Sequence, residues 1–309
     1  METDIPEKEK MKRIKAIAAG LLILAVSGCG RPEYHYDVRK DLSITFGNSD
    51  KVIGDIRAGL VSRSSRITIS YVSGSDNMDD IRPMTDELVM FAMSETGDPH
   101  EGDYLYHQYG GYRTVYSYEK DGDRFCYNID IIPEYFTSPE QEKTVDRLVS
   151  EIIEELDLSG KSDFEKVSAV YHHVLSNVKY DKVHRKNPFY HLKSTAYGAL
   201  VNGCACCQGY SVLLYRLLRE AGISSRIITG NTVNGSVSEY HAWNIAAIDG
   251  ICYNLDATWD SQNGTTEYFL RSDSFFSETH IRDEQYSTSD FYERYPMSEN
   301  DYELIENRS

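Results

Sequence analysis

The chain reads Gly203-Cys204-Ala205-Cys206-Cys207-Gln208-Gly209-Tyr210-Ser211-Val212-Leu213-Leu214-Tyr215-Arg216-Leu217-Leu218-Arg219-Glu220-Ala221-Gly222, and the architecture hangs on how these residues are taken. Val212 to Leu218 is too richly apolar for a surface helix, so the run from Cys207 predicts a buried helix that Gly222 stops. Cys207 then sits at the mouth of that helix, beside unsatisfied N–H groups and the positive end of the dipole. Both favour thiolate over thiol, and the thiolate is the reactive form. Alone this carries little, because buried cysteines are common and mostly inert.

A second stretch gives the cysteine its meaning. His241-Ala242-Trp243-Asn244 opens a strand that reaches Ile248, Asp249-Gly250 makes a hairpin turn, and Ile251 to Asp256 returns. Centring the hairpin on Asp249-Gly250 pairs Ile248 with Ile251 and Ala246 with Tyr253, and sets Trp243 opposite Asp256. His241 becomes the diagonal neighbour of Asp256 on the same sheet face, about 7–8 Å apart at Cα, within reach for an imidazole and a carboxylate. A slip of one residue would turn them to opposite faces. A helix-mouth cysteine, a strand histidine and an acid that orients it form the nucleophile–base–orienter set of acyl transfer.

These motifs resemble the bacterial transglutaminase-like family, part of the broad papain-like cysteine fold. The resemblance rests on Thr195-Ala196-Tyr197-Gly198-Ala199-Leu200, Cys207-Gln208-Gly209-Tyr210, His241-Ala242-Trp243-Asn244 and Leu255-Asp256-Ala257-Thr258-Trp259-Asp260, with Tyr180-Asp181 upstream. It covers about residues 140–295 and implies Cys207 as nucleophile, His241 as base and Asp256 as orienting acid. The implied reaction is attack on a protein or peptide amide, giving a thioester that water or an amine releases. Protease, deamidase and transglutaminase use the same three residues, and the sequence does not choose among them. The Cys207 N–H is the natural oxyanion donor; a second donor is not identifiable from sequence.

Competing assignments exist for each role. Cys206 is adjacent to Cys207, but the family pattern places the nucleophile directly before Gln-Gly-Tyr. Asp260 falls beyond the returning strand. Trp243 and Trp259 read as packing around the site, His280 as structural, and His172 and His173 as helix-surface residues. A rival of another class is a non-catalytic cell-surface scaffold that keeps the fold. A metal-dependent enzyme would rest only on the cysteine cluster and scattered histidines, and no second cysteine or histidine pair stands at zinc-site spacing. No cofactor and no metal is expected.

Around this core the second half opens with two signposted helices. Ser138-Pro139-Glu140-Gln141 and Ser162-Asp163-Phe164-Glu165 are capping boxes, the first with Pro at N1. Val145, Leu148, Val149, Ile152 and Leu156, then Val167, Val170, Tyr171, Val174 and Val178, supply the two buried stripes. The first half reads as mixed α/β. Ile67, Ile69 and Tyr71 alternate as in a half-buried strand, and Asp79 to Ser94 is helical with Pro83 in or near its first turn. Tyr112 to Tyr118 and Phe125 to Ile131 flank a hairpin turn at Lys120-Asp121-Gly122-Asp123.

The N-terminus has a different character. Lys12, Arg13 and Lys15 precede the apolar run Ala16 to Val26, which ends in Val26-Ser27-Gly28-Cys29. That run is shorter than the about 20 residues a bilayer span needs and follows the pattern of a secretory signal. Val-Ser-Gly-Cys resembles the lipobox of bacterial lipoproteins, which implies lipid on Cys29 and an extracytoplasmic protein held to the cell membrane. Removing residues 1–28, with five Lys/Arg and four Asp/Glu, takes the net charge from −17 to −18. Such acidity argues against nucleic-acid binding. Of six cysteines, Cys29, Cys126, Cys204, Cys206, Cys207 and Cys252, five remain after lipidation, an odd number that leaves one thiol free even if Cys204 or Cys206 pairs with Cys252.

The expectation is therefore an α+β protein with a papain-like, transglutaminase-like core, in which the nucleophile's helix packs on an antiparallel sheet, and an N-terminal α/β accessory domain. Its divisions are 1–28 (signal), 29–41 (tether), 42–135 (accessory), 138–295 (catalytic) and 296–309 (tail). Expected partners are a protein or peptide substrate, a cell-wall-associated one among the candidates, and the membrane through the lipid, but no nucleic acid.

Overall fold

Two separate hydrophobic patterns fold into two separate cores in the computed structural model, which describes residues 49–303 apart from 75, 77, 235 and 236. The signal, the tether and Cys29 lie outside the described residues. The first core is built by α1 (Ser49–Val61), β1 (Ile67–Ser73), α2 (Met78–Ala92), the short α3 (Asp103–Tyr106), β2 (Tyr109–Asp121) and β3 (Arg124–Tyr135). Its antiparallel sheet runs β1-β3-β2. Alternate residues of β1 are buried, so Ile67, Ile69 and Tyr71 meet Ile56, Leu60, Ile81 and Leu88 from the two long helices. Asp121 pairs with Arg124, so Gly122 and Asp123 make the turn, with Gly122 at φ 61°. Pro83 lies deeper than its first-turn expectation, five residues into α2, where the helix loses one backbone donor.

The second core begins with α4 (Pro139–Leu156) and α5 (Asp163–Asn177). Both capping boxes close: Ser138 and Gln141, then Ser162 and Glu165, exchange side-chain and backbone hydrogen bonds. β4 (Lys179–Tyr180), α6 (Ala196–Val201), β5 (Cys204–Ala205) and α7 (Cys207–Glu220) follow. β4 and β5 pair in parallel, which draws Tyr180 to the segment just before Cys207. Gly209 is required here, because a Cβ would come within 2.7 Å of both the Ala205 methyl and the Lys193 carbonyl.

The chain then forms an antiparallel sheet from β6 (Ser225–Asn234), β7 (Val237–Ile248) and β8 (Ile251–Leu255). α8 (Ala257–Asn263), α9 (Asp273–Phe276), β9 (His280–Arg282) and α10 (Ser289–Arg294) complete it, with strand order β8-β7-β6-β9. α7 packs on β7 and β6, and its Val212, Leu213, Leu214, Leu217 and Leu218 join Ile227, Ala246 and Leu255 in one buried cluster. At about 1.5–3 kcal/mol for each such side chain, this contact anchors the helix firmly. The opposite sheet face carries Ile228, Trp243 and Ile245 into a further cluster with Phe276, Tyr286 and Phe291. The sheet is thus covered on both sides.

Polar contacts fasten the first core to the second. Buried Asp103 accepts from Arg226 Nε at 2.7 Å, Arg226 Nη2 at 3.0 Å and the Ile227 N–H at 2.7 Å. The Tyr215 hydroxyl donates to Glu95 at 2.7 Å. Gln208, next to Cys207, donates its side-chain amide to the His107 carbonyl. Residues 296–303, read as a tail, lie along the second core: the Cys252 N–H bonds the Pro296 carbonyl at 2.8 Å, and Tyr302 stacks on Phe164 at 5.0 Å.

Candidate active site

Cys207 is the first residue of α7, as its sequence position predicts, and its partly exposed side chain faces β7. The β7–β8 register is Ile248–Ile251, Ala246–Tyr253 and Asn244–Leu255, the pairing that the Asp249-Gly250 turn dictates. β7 itself begins at Val237, four residues before the expected start, because it also pairs along its length with β6. His241 and Asp256 meet as the diagonal count requires: Nε2 of His241 lies 2.8 Å from Oδ2 of Asp256. His241 also acts on the Cys207 sulfur, whose thiol the imidazole and the Ala242 N–H both lower. The three residues expected to act together are brought together.

Asp256 is fully buried and held at both oxygens. Having left the strand, it caps α8, and its Oδ1 accepts the N–H groups of Thr258 at 2.9 Å and Trp259 at 3.1 Å. Oδ2 accepts from His241 and also from Nε2 of His280, at 3.2 Å. His280, read from sequence as structural, is thus a direct partner of the acid. Its Nδ1 is 2.8 Å from the Thr279 hydroxyl, which leaves Nε2 to carry the proton toward Asp256. Trp259 and Phe276 pack against the His280 ring at centroid distances of 4.6 and 4.4 Å. Trp243 and Trp259 line His241 at 6.3 and 5.8 Å, the packing role expected of them.

The electrostatics follow from burial and pairing. Burial opposes charge on His241, but the Asp256 carboxylate beside it wins and pushes the imidazole up to about 10. Burial likewise opposes ionisation of Asp256, and the two histidines hold it well below the usual carboxylate range. Burial would raise the Cys207 thiol; the hydrogen bond and charge of His241 outweigh it and lower it. For His280, burial dominates and lowers its basicity, so it serves Asp256 as a neutral donor. The two shifts act together toward a thiolate–imidazolium pair backed by a carboxylate.

The competing residues lie elsewhere. Asp260 is buried in α8 and accepts from the Tyr171 hydroxyl at 2.6 Å, the Thr265 hydroxyl at 2.9 Å and the Tyr268 N–H at 3.1 Å, a structural role. Cys206 is buried, with its sulfur 3.9 Å from the Asp181 carbonyl. Burial raises the Cys204 thiol, the reverse of Cys207. The five described cysteines are all free, so neither Cys204 nor Cys206 pairs with Cys252. His172 is exposed and His173 half-buried on α5. His241, Asp256 and His280 offer metal-type donor atoms within 4.8 Å of one another, yet their mutual hydrogen bonds already account for that geometry.

Residues 150–257 match the family model described as the Transglutaminase-like superfamily, a segment that includes Cys207, His241 and Asp256. A mouse (Mus musculus) protein named kyphoscoliosis peptidase is 26% identical over 162 residues, spanning 45% of this chain and 24% of that protein. Among solved structures, a TGase is 19% identical over 48% of this chain and 45% of its own, with TM-score 0.35. A candidate cysteine protease from Cytophaga hutchinsonii is 13% identical over 59% of this chain and 72% of its own, with TM-score 0.33. The chain therefore spans about a quarter of the curated relative it matches. Residues 150–257 are a transglutaminase-like domain.

Proposed function

We propose that this chain is a cysteine-dependent acyl-transfer enzyme acting on amide bonds of proteins or peptides, with Cys207, His241 and Asp256 as its catalytic residues. The observation that carries this reading is that His241, hydrogen-bonded to the fully buried Asp256, acts on Cys207 at the mouth of α7 and lowers its thiol. The Cys207 thiolate attacks the amide carbonyl carbon, and the carbonyl π electrons move to oxygen. The N–H of Cys207, at the first helical position and without an intrahelical acceptor, is placed to donate to that oxyanion. As the tetrahedral species collapses, the C–N bond breaks and the imidazolium of His241 protonates the departing nitrogen, leaving a thioester. Neutral His241 then takes a proton from water or a primary amine as it attacks the thioester, and the Cys207 thiolate is expelled. Asp256 keeps the imidazole oriented and stabilises its charged form in both halves.

The same proposal places the enzyme outside the cell, anchored by lipid on Cys29, with residues 42–135 as an accessory layer beside the catalytic part. The deciding experiment incubates the full chain with an amide-rich protein, with and without a primary amine, and reads the products by mass spectrometry. Cleavage, a gain of one dalton at glutamine, or an amine adduct would identify the acceptor. Products that persist unchanged with Cys207→Ala would sink the assignment.

A further inference from the structure

The loop after β4 departs from the charge of the rest of the chain. The whole sequence carries 49 Asp/Glu against 32 Lys/Arg, yet within residues 179–193 Lys179, Lys182, Arg185, Lys186 and Lys193 face a single acid, Asp181. The loop is braced from beneath. Asp181 Oδ1 accepts the N–H groups of Val183 at 3.1 Å and His184 at 2.8 Å, and His184 Nδ1 lies 2.9 Å from Oδ2. His184 stacks on Tyr190 with centroids 4.1 Å apart. Lys193, buried, donates its ammonium to the carbonyls of His184, Arg185 and Asn187 at 3.1, 3.1 and 2.5 Å. With its carbonyls turned inward onto one cation, the loop presents its side chains outward.

What it presents is unusual for a solvated turn. Val183 and Phe189 are 84% and 86% exposed, and Lys182, Arg185 and Lys186 are exposed around them. Among the described residues none of the three cations has a carboxylate within ion-pair distance. An apolar tip ringed by unpaired charge of one sign is a surface ready for contact with the opposite sign.

The loop also reaches the reactive cysteine. It springs from Tyr180, which pairs with Ala205, and the Asp181 N–H bonds the Ala205 carbonyl at 2.9 Å, two residues before Cys207. The half-buried Tyr180 phenol is raised first by burial and then by the neighbouring cysteines of the site, Cys207 foremost, while Arg185 of the loop acts on it in the opposite sense. The loop thus carries its positive charge from the strand that pairs beside Cys207, and β7 carries the exposed Glu239 two residues before His241.

We propose that loop 181–190 is the substrate-recognition element of the Cys207 site, selecting polypeptide acyl donors whose flank combines acidic residues with an apolar one. This rests on Cys207 being the nucleophile. Acidic side chains of the donor meet Lys182, Arg185 and Lys186, and the apolar one covers Phe189 and Val183.

The test uses iodoacetylated hexapeptides that share one leucine and differ only in carrying Asp/Glu, Asn/Gln or Lys. The full chain is treated with each at low salt, and loss of the Cys207 thiol is followed by peptide mapping. Each rate is divided by that of free iodoacetamide, which removes any change in intrinsic thiol reactivity. The acidic probe is expected to react roughly tenfold faster than the neutral one, through steering and retention by unpaired cations. That gap should close near 1 M salt, where the screening length is about 3 Å, and in the triple variant Lys182→Gln/Arg185→Gln/Lys186→Gln. Phe189→Ser should slow every leucine-bearing probe. Equal normalised rates for the three probes would overturn the proposal. So would a triple variant that loses binding to phosphatidylglycerol vesicles while keeping its probe preference, which would make the loop a lipid contact. Failure of iodoacetamide itself to label Cys207 would instead remove the nucleophile, and this proposal with it.

Discussion

His241 and His280 share one acceptor: both aim Nε2 at Oδ2 of Asp256, at 2.8 and 3.2 Å. The carboxylate is therefore fixed by four donors, two at each oxygen, and cannot rotate away from the imidazole that faces Cys207. Only His241 reaches the thiol; His280 acts through the acid, as a positioning residue.

His280→Ala should lower kcat about tenfold with little change in KM, since a lost orienting hydrogen bond is worth about 1–1.5 kcal/mol and acts in the chemical step. His280→Gln keeps an N–H donor near the Nε2 position and should recover part of that loss. Equal kcat in the wild type and His280→Ala, both folded by circular dichroism, would show that His241 and the α8 cap suffice.

The thiolate–imidazolium pair sets the pH response. Cys207 should alkylate readily at neutral pH, and the rate should fall on acidification as the thiolate is protonated. His241→Ala should shift the profile upward, toward or beyond the free-thiol value of about 8.5. For stability, His241 is raised from an ordinary 6.5 to about 10, so its contribution is complete below 6.5 and lost as pH climbs through about 10. Asp256 is depressed from 3.8, so its contribution is present above that value and is lost on further acidification. Coincident alkylation profiles for wild type and His241→Ala would remove the pair.

Asp256→Asn and Asp260→Asn should separate chemistry from stability. The first should cost roughly 10³–10⁴ in kcat by disturbing the imidazole's tautomer and charge. The second weakens the acceptor for Tyr171 and Tyr268, so it should lower the melting temperature and leave the pH profile of Cys207 alkylation in place. A variant at Asp260 that melts normally yet abolishes thiol reactivity would mean that the wrong acid has been assigned.

Asp103→Ala should destabilise the chain by about 3 kcal/mol, because the half-buried Arg226 guanidinium keeps only Glu95, at 3.9 Å, and the Ile227 N–H loses its acceptor. Urea denaturation measures this directly. A loss below about 1 kcal/mol would place the pair among the weak, solvent-screened bridges.

Cys29→Ser should abolish lipidation and either release the protein from membranes or trap it as a precursor. Fractionation together with the N-terminal mass decides it: unchanged membrane association and unchanged mass in the variant would end the lipoprotein proposal.

Much of this site was written locally. The apolar run Val212 to Leu218 specifies a buried helix and puts Cys207 at its mouth. Asp249-Gly250 specifies a tight hairpin, and period-two side chains then carry His241 to the face of Asp256 without reference to the rest of the chain. Ser138 and Ser162 start their helices through partners three residues away. These features rest on repeats and turns within about a dozen residues, so sequence alone determined them. Tertiary structure decided the rest. His280 reaches Asp256 because β9 joins the far edge of β6, and no periodicity states which strands become neighbours. Asp260 lay in plain view as an acid, yet its role depends on Tyr171, 89 residues away. Asp103 and Arg226 are 123 residues apart, and each alone reads as one more surface charge. Charge, turn propensity and amphipathic period are properties of neighbours in the chain, whereas a shared acceptor or a buried ion pair belongs to neighbours in space.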